Sequence, residues 1–164
     1  MWPDADMIPI GKLSLDDRQH GPERMTKFTK DEQITMMTLW SIAQSPLMLG
    51  NDMLDVDDFT LSLITNPEVL AVNQNGSNAR QIFARNGQRF WISTDKETGD
   101  KFVALFNLND SAKEVVFDLE LDYLRDKYEV RDLWARKNIG TVEKKIQATI
   151  PAHGSILYRL TKKE

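Results

Sequence analysis

Residues 46–52 read PLMLGND. Leu47, Met48 and Leu49 form an apolar run too short for a helix and apolar on both faces, and it turns abruptly to Asn51 and Asp52. That is the pattern of a buried parallel strand with polar residues at its C-terminal end. Upstream, Thr29-Lys30-Asp31-Glu32 is a capping box: the Thr29 hydroxyl accepts from the Glu32 amide and the Glu32 carboxylate reaches back. Asp31 and Glu32 also suit the positive end of a helix dipole. The spacing predicts a helix over residues 30–44, ended by Pro46. Its polar stripe is only Thr35, Thr38 and Ser41, so it is buried on more than one face, with Met36, Met37 and Trp40 in the core. Downstream, Asp57-Asp58 opens a helix over residues 57–65, closed by Asn66-Pro67. Helix, parallel strand, helix is a piece of an α/β fold, too small to close a sheet.

The chain changes character at residues 73–78, NQNGSN, where polar turn formers dominate. Beyond them the period is two. Strands are predicted over residues 80–85, 89–94, 101–107, 115–119, 128–133, 142–150 and 155–160. Asn86-Gly87 marks a two-residue hairpin, and Glu97-Thr98-Gly99-Asp100 another turn. Strands at this spacing, joined by turns, predict an antiparallel sandwich, with Phe90, Trp91, Phe102 and Phe106 as its core. The organisation is therefore residues 1–76 as an α/β portion and residues 77–164 as an all-β sandwich domain. The second half has the makings of an independent domain. The first has unpaired strand edges and, by itself, is expected to aggregate, swap or stay loose.

Composition narrows the function. The 164 residues are 41% hydrophobic and 28% charged, which is globular. A formal net charge of −4 argues against a general nucleic-acid binder, and no apolar run approaches the ~20 residues of a membrane span, so neither nucleic acid nor membrane is an expected partner. There is no cysteine, which excludes disulfides, thiolate nucleophiles and zinc–thiolate sites. His20 and His153 have no metal-ligand spacing, and His153 reads as a turn residue. Neither a G-x-S-x-G nor a phosphate-cradling glycine loop is present.

Two places can carry chemistry. Residues 2–10, WPDADMIPI, place Asp4 and Asp6 in a D-x-D. A bare D-x-D is often a solvated acidic turn. Alternating carboxylates on an extended chain can also hold a divalent cation, as in a nucleotide-sugar transferase, or grip sugar hydroxyls beside a flat Trp2 face. The transferase reading expects a nucleotide-binding unit upstream, and none is seen in the sequence. Asn51-Asp52, at the end of the predicted strand, reads either as a barrel-mouth pair or as a cap or turn. Asp52, Asp55, Asp57 and Asp58 lack the Gly and terminal Glu of a calcium loop.

Three segments together resemble one family. Trp2-Pro3-Asp4-Ala5-Asp6-Met7-Ile8-Pro9-Ile10-Gly11 resembles the W-N-D-P-D-M-L-x-x-G segment of glycoside hydrolase family 27, the α-galactosidases or melibiases. Residues 39–52, LWSIAQSPLMLGND, resemble its L-W-A-I-x-x-A-P-L-x-x-x-x-D segment. Residues 66–74, NPEVLAVNQ, resemble its N-x-E-V-I-A-I-N-Q segment. Order and approximate spacing agree over residues 2–74. The departures are Pro3 and Ala5, where the family more often has Asn and Pro, and a longer connection over residues 14–28.

The resemblance implies the last two units of a (β/α)8 barrel: a seventh helix at residues 30–44, an eighth strand at Leu47–Leu49 and an eighth helix at residues 57–65. An antiparallel sandwich domain follows. It implies the C-terminal part of a retaining hydrolase of terminal α-D-galactosides, needing no metal or cofactor. One aspartate attacks the anomeric carbon and another protonates the leaving oxygen. Both belong to motifs not found in this chain, so no catalytic residue is assigned here. Carried over by position are Asp6, accepting galactose hydroxyls, Met7 as its apolar neighbour, and Asp4 as a supporting partner. The partners so implied are an α-galactoside and the preceding barrel portion of the same protein. The alternative is a carbohydrate-binding or structural sandwich without catalysis.

Overall fold

The computed structural model describes residues 3–13 and 22–163. Trp2 and most of the long connection at residues 14–28 lie outside the described residues. The first half contains β1 (Met7–Ile8), β2 (Lys12–Leu13), β3 (Arg24–Met25), α1 (Lys30–Ile42), β4 (Met48–Leu49), α2 (Asp58–Ile64) and α3 (Pro67–Asn75). β1 and β4 pair in parallel, Met7 opposite Met48 and Ile8 opposite Leu49. The capping box forms as its residues dictate, with the Glu32 amide donating to Thr29 Oγ1 at 3.2 Å and the Thr29 amide to Glu32 Oε2 at 2.7 Å.

Several boundaries differ from the sequence expectation. α1 stops at Ile42 because Gln44 turns into the left-handed region, at φ 60°. The eighth-strand segment is parallel but not buried on both faces: Met48 is 55% exposed. The sequence pattern assumed a covered strand, and here only the Ile8 side is covered. The end of the residue 14–28 connection is not all loop, since β3 pairs antiparallel with β2. Asn66-Pro67 does not merely close α2. Asn66 Oδ1 accepts from the Glu68 and Val69 amides, and Pro67 takes the first helical position, so the pair opens α3.

The second half is β5 (Gly76–Arg85), β6 (Gln88–Asp95), β7 (Lys101–Asn107), β8 (Lys113–Asp118), β9 (Tyr128–Asp132), β10 (Lys137–Val142), β11 (Lys145–Ile150) and β12 (Ser155–Lys162). A 3-10 turn at Leu119–Asp122 follows β8. One antiparallel sheet has the order β10-β9-β12-β7-β6-β5, and β11-β8 forms the second layer. The strand expected over residues 142–150 is β11, which starts at Lys145 and pairs with β8; Val142 instead closes β10, a strand the sequence reading did not include, which pairs with β9 in the other layer. β10 offers no alternation to read, since residues 137–141 are all exposed, whereas β11 buries Ile146 and Ile150. Asn86 and Gly87, at φ 51° and 73°, make the hairpin turn.

At its centre, in β7, the large sheet is buried on both faces. Phe90, Ile92, Val103 and Leu105 face β8 and β11 across the sandwich. Phe102, Ala104, Phe106 and Leu157 face the helices, against Ile42, Val69 and Val72, with Trp91 at the margin. Of the four aromatics expected inside the sandwich, only Phe90 is there. The others form the floor on which α1 and α3 sit. α1 meets Ile8, Ile10 and Leu63 with its other face through Met37. Polar contacts clamp the same junction. Arg131 forks onto Glu68 at 2.6 and 2.7 Å, Asn66 Nδ2 donates to the Leu133 carbonyl at 2.9 Å, and Trp134 Nε1 donates to Thr38 Oγ1 at 2.9 Å.

Candidate functional site

The Asp4–Met7 turn is built from local hydrogen bonds. The Asp6 amide donates to Asp4 Oδ1 at 3.1 Å, and the Met7 amide to Asp6 Oδ1 at 2.8 Å. Asp6 sits at φ 65°, a left-handed conformation that Asp tolerates better than most residues. Asp4 thus acts on the backbone that aims Asp6. Asp6 Oδ2 has no hydrogen-bond partner among the described residues, and its side chain is exposed.

The end of α1 holds this turn from behind. The Trp40 indole donates to the Asp6 carbonyl at 3.3 Å, and the Ala5 amide donates to Ser45 Oγ at 3.0 Å. Ser45 is buried, and its carbonyl accepts from Asn73 Nδ2 on α3 at 2.8 Å. Sequence reasoning missed Ser45 and Asn73 as supports. The only signal was their being polar within apolar segments.

Met7 and Met48 lie side by side in register, 54% and 55% exposed, on the face of the β1–β4 pair away from the helices. Ile8, on the other face, is fully buried against the helices. In a (β/α)8 barrel the helices lie outside, so the methionine face is the inward one.

Asn51 and Asp52 stand at the opposite end of the pair from Asp6, beyond Leu49. Asp52 is 4% exposed, its amide bonds the Lys12 carbonyl at 2.7 Å, and its Oδ1 accepts from the Leu54 amide at 2.8 Å. Lys12 Nζ reaches Asp55 at 2.7 Å, Glu23 at 3.3 Å and Asp52 at 3.9 Å. The hydrogen bonds to Asp55 and then Glu23 raise the Lys12 pKa. This lysine rivets three segments together, and the carboxylates around it are spent on structure. Asp57 caps α2 through the Thr60 amide and hydroxyl, which lowers its pKa. The structure therefore brings Asp4, Asp6 and Met7 into one turn and leaves Asp52, Asp55 and Asp57 in rivets and caps. His153, at φ 54° before β12, has its ring 3.0 Å from Asp110 and its carbonyl accepting from Thr35 on α1.

Residues 1–75 match the family model described as alpha galactosidase A. Residues 85–160 match that of the alpha galactosidase C-terminal beta sandwich domain. A probable alpha-galactosidase of Dictyostelium discoideum is 32% identical over 96% of this chain, which covers 40% of that relative. Among solved structures, a GH27 β-L-arabinopyranosidase from Geobacillus stearothermophilus superposes with a TM-score of 0.91 at 45% identity, over 98% of this chain and 37% of that one. A structure described as a putative alpha-N-acetylgalactosaminidase from Bacillus halodurans superposes at 0.92 with 33% identity, over 99% of this chain and 40% of that one. The chain spans about 40% or less of the length of these relatives.

Proposed function

From the chain's membership of glycoside hydrolase family 27, the melibiases, we propose that it is the C-terminal part of a retaining hydrolase acting on terminal α-D-galactosyl residues. The observation that carries this is the parallel β1–β4 pair with its methionine face turned away from the helices. It is a barrel wall in miniature, with Asp6 at its start.

In this reading Asp6 accepts hydroxyls of the bound sugar through its free oxygen. Met7 packs beside the ring, and Asp4 positions Asp6. Retention needs two carboxyls ~5–5.5 Å apart flanking the anomeric carbon, one as nucleophile and one as acid and then base. Both come from barrel strands that precede Asp4. Residues 77–164 form the supporting sandwich domain, and the chemistry calls for no metal or cofactor.

A second reading of the substrate is favoured by the 45% identity to the β-L-arabinopyranosidase. β-L-arabinopyranose has the ring configuration of α-D-galactopyranose without the hydroxymethyl group. A carboxylate gripping ring hydroxyls serves either sugar, so Asp6 suits both.

The test uses p-nitrophenyl α-D-galactopyranoside and p-nitrophenyl β-L-arabinopyranoside. The 164-residue chain is expected to turn over neither. Within the complete enzyme, Asp6→Ala is expected to lower kcat/KM by ~10- to 200-fold, the value of one or two hydrogen bonds to a charged group. Turnover by this chain that Asp6→Ala abolishes would refute the assignment of catalysis to preceding strands. Unchanged kinetics in the complete enzyme would remove Asp6 from the site. Activity that survives chelation supports the metal-free mechanism, and a divalent-ion requirement would point to the transferase alternative.

A further inference from the structure

A cleft of about 340 Å³ opens at the edge of the sandwich, sharing no lining residue with the Asp4–Met7 turn. It lies between the β5–β6 hairpin and the β8–β11 layer. Its volume is at the small end of the range for small-molecule sites. Phe83 lines it at the outer end of a stack in which Phe90 and Phe117 continue inward.

The backbone takes a special course to put Phe83 there. β5 is bulged against β6 between Gln81 and Phe83, and so Ile82 and Phe83, consecutive in sequence, both pack on the sandwich core. In an unbroken strand one of them would point away. A bulge re-aims a side chain in this manner, and such bulges are frequent beside sites. Val116 and Leu121 add exposed apolar wall, at 43% and 61% exposure.

The polar lining is cationic. Arg85 and Lys145 face the cleft, and neither has a carboxylate partner among the described residues. Asp118 is the one acidic residue in the lining, and its Oδ1 accepts from the Glu120 amide at 3.0 Å. The Asn86 side chain supplies a neutral donor and acceptor, and Gln88 its Oε1, Gln88 Nε2 donating to the Glu114 carbonyl at 3.4 Å.

We infer that this cleft binds a pyranose carrying a carboxylate, a uronic-acid residue of an acidic glycan, as a site separate from the sugar-binding turn. The ring's apolar face lies against Phe83, Val116 and Leu121. The carboxylate meets the fork of Arg85 and the charge of Lys145. The ring hydroxyls bond the side-chain amide of Asn86 and donate to Gln88 Oε1. The inference does not depend on the hydrolase reading.

The test is a titration of the full 164-residue chain, followed by amide NMR shifts, with methyl α-D-galacturonide and with methyl α-D-galactoside. Galacturonide is expected to shift amides over residues 83–88 and 116–121, and to do so ~10-fold more tightly than the neutral sugar, one charge-assisted bond's worth. Arg85→Ala with Lys145→Ala is expected to abolish that preference while leaving the remaining spectrum in place. Both residues are exposed and serve no other contact described here, so folding is spared. Equal response to both sugars, shifts unaltered in the double variant, or no shifts at these residues would overturn the inference. Shifts confined to residues 4–8 would report the turn instead, and overturn it equally.

Discussion

The indole N–H of Trp40 donates to the backbone carbonyl of Asp6 at 3.3 Å. The bond joins the buried end of α1 to the turn that presents the proposed sugar-binding carboxylate. Trp40→Phe keeps the ring and deletes the donor. The expected result is a loss of about 0.5–1.5 kcal/mol at this turn, read as faster amide exchange at Ala5 to Ile8 with β7 and β12 unchanged.

Asp6→Asn separates the sugar contact from the fold. Asn tolerates φ 65° as Asp does and can keep the bond from the Met7 amide. Thermal stability is expected to stay within about 0.5 kcal/mol, whereas Asp6→Val, β-branched at positive φ, is expected to cost about 1–3 kcal/mol. Thermal unfolding of the two variants side by side checks this.

Thr38 connects the halves. Its hydroxyl donates to the Ile34 carbonyl at 2.7 Å and accepts from Trp134 Nε1 at 2.9 Å, at a site with no exposed surface. Thr38→Val preserves shape and strands both the indole and the Ser155 hydroxyl, which donates to Thr38 Oγ1 at 3.1 Å, with an expected cost of about 1–3 kcal/mol. A double-mutant cycle with Trp134→Phe in urea should show coupling of about 0.5–3 kcal/mol. Additivity would mean that the bond does not hold α1 to the sandwich.

The Glu68–Arg131 pair sets an acid limit on the same junction. The hydrogen bond from Arg131 lowers the Glu68 pKa below the ordinary glutamate value, and burial opposes this. A depressed folded pKa contributes stability that is complete above the unfolded value, about 4.3, and is lost as pH falls through the folded one. The Thr29 bonds to Glu32 and the Thr60 bonds to Asp57 act in the same direction. The chain is therefore expected to lose stability below about pH 4. Glu68→Gln should flatten that limb and lower stability at pH 7. A pH series of urea midpoints on both proteins reads it.

Removing the α1 cap gives a local comparison. Thr29→Ala is expected to cost about 1 kcal/mol. Because α1 packs on both the β1–β4 wall and the large sheet, the loss should appear in global unfolding rather than as fraying, by circular dichroism and intrinsic fluorescence together.

The short-range caps and turns were largely written in the sequence. Thr29 and Glu32 cap α1 wherever it packs, because the bonds span three residues. Asn86-Gly87 turns because those residues accept positive φ at little cost. The D-x-D turn was legible for the same reason, its bonds spanning one and two residues. Tertiary structure alone decided which neighbour each apolar face meets. Phe102 and Phe106 face the helices rather than the sandwich interior, since alternation marks a buried face without saying what buries it. Residues 137–150 cross between layers at Glu143-Lys144. The supports of the Asp6 turn were equally hidden. Ser45 and Asn73 lie 40 residues or more from Ala5, and only packing of α1 against α3 brings their donors and acceptors together.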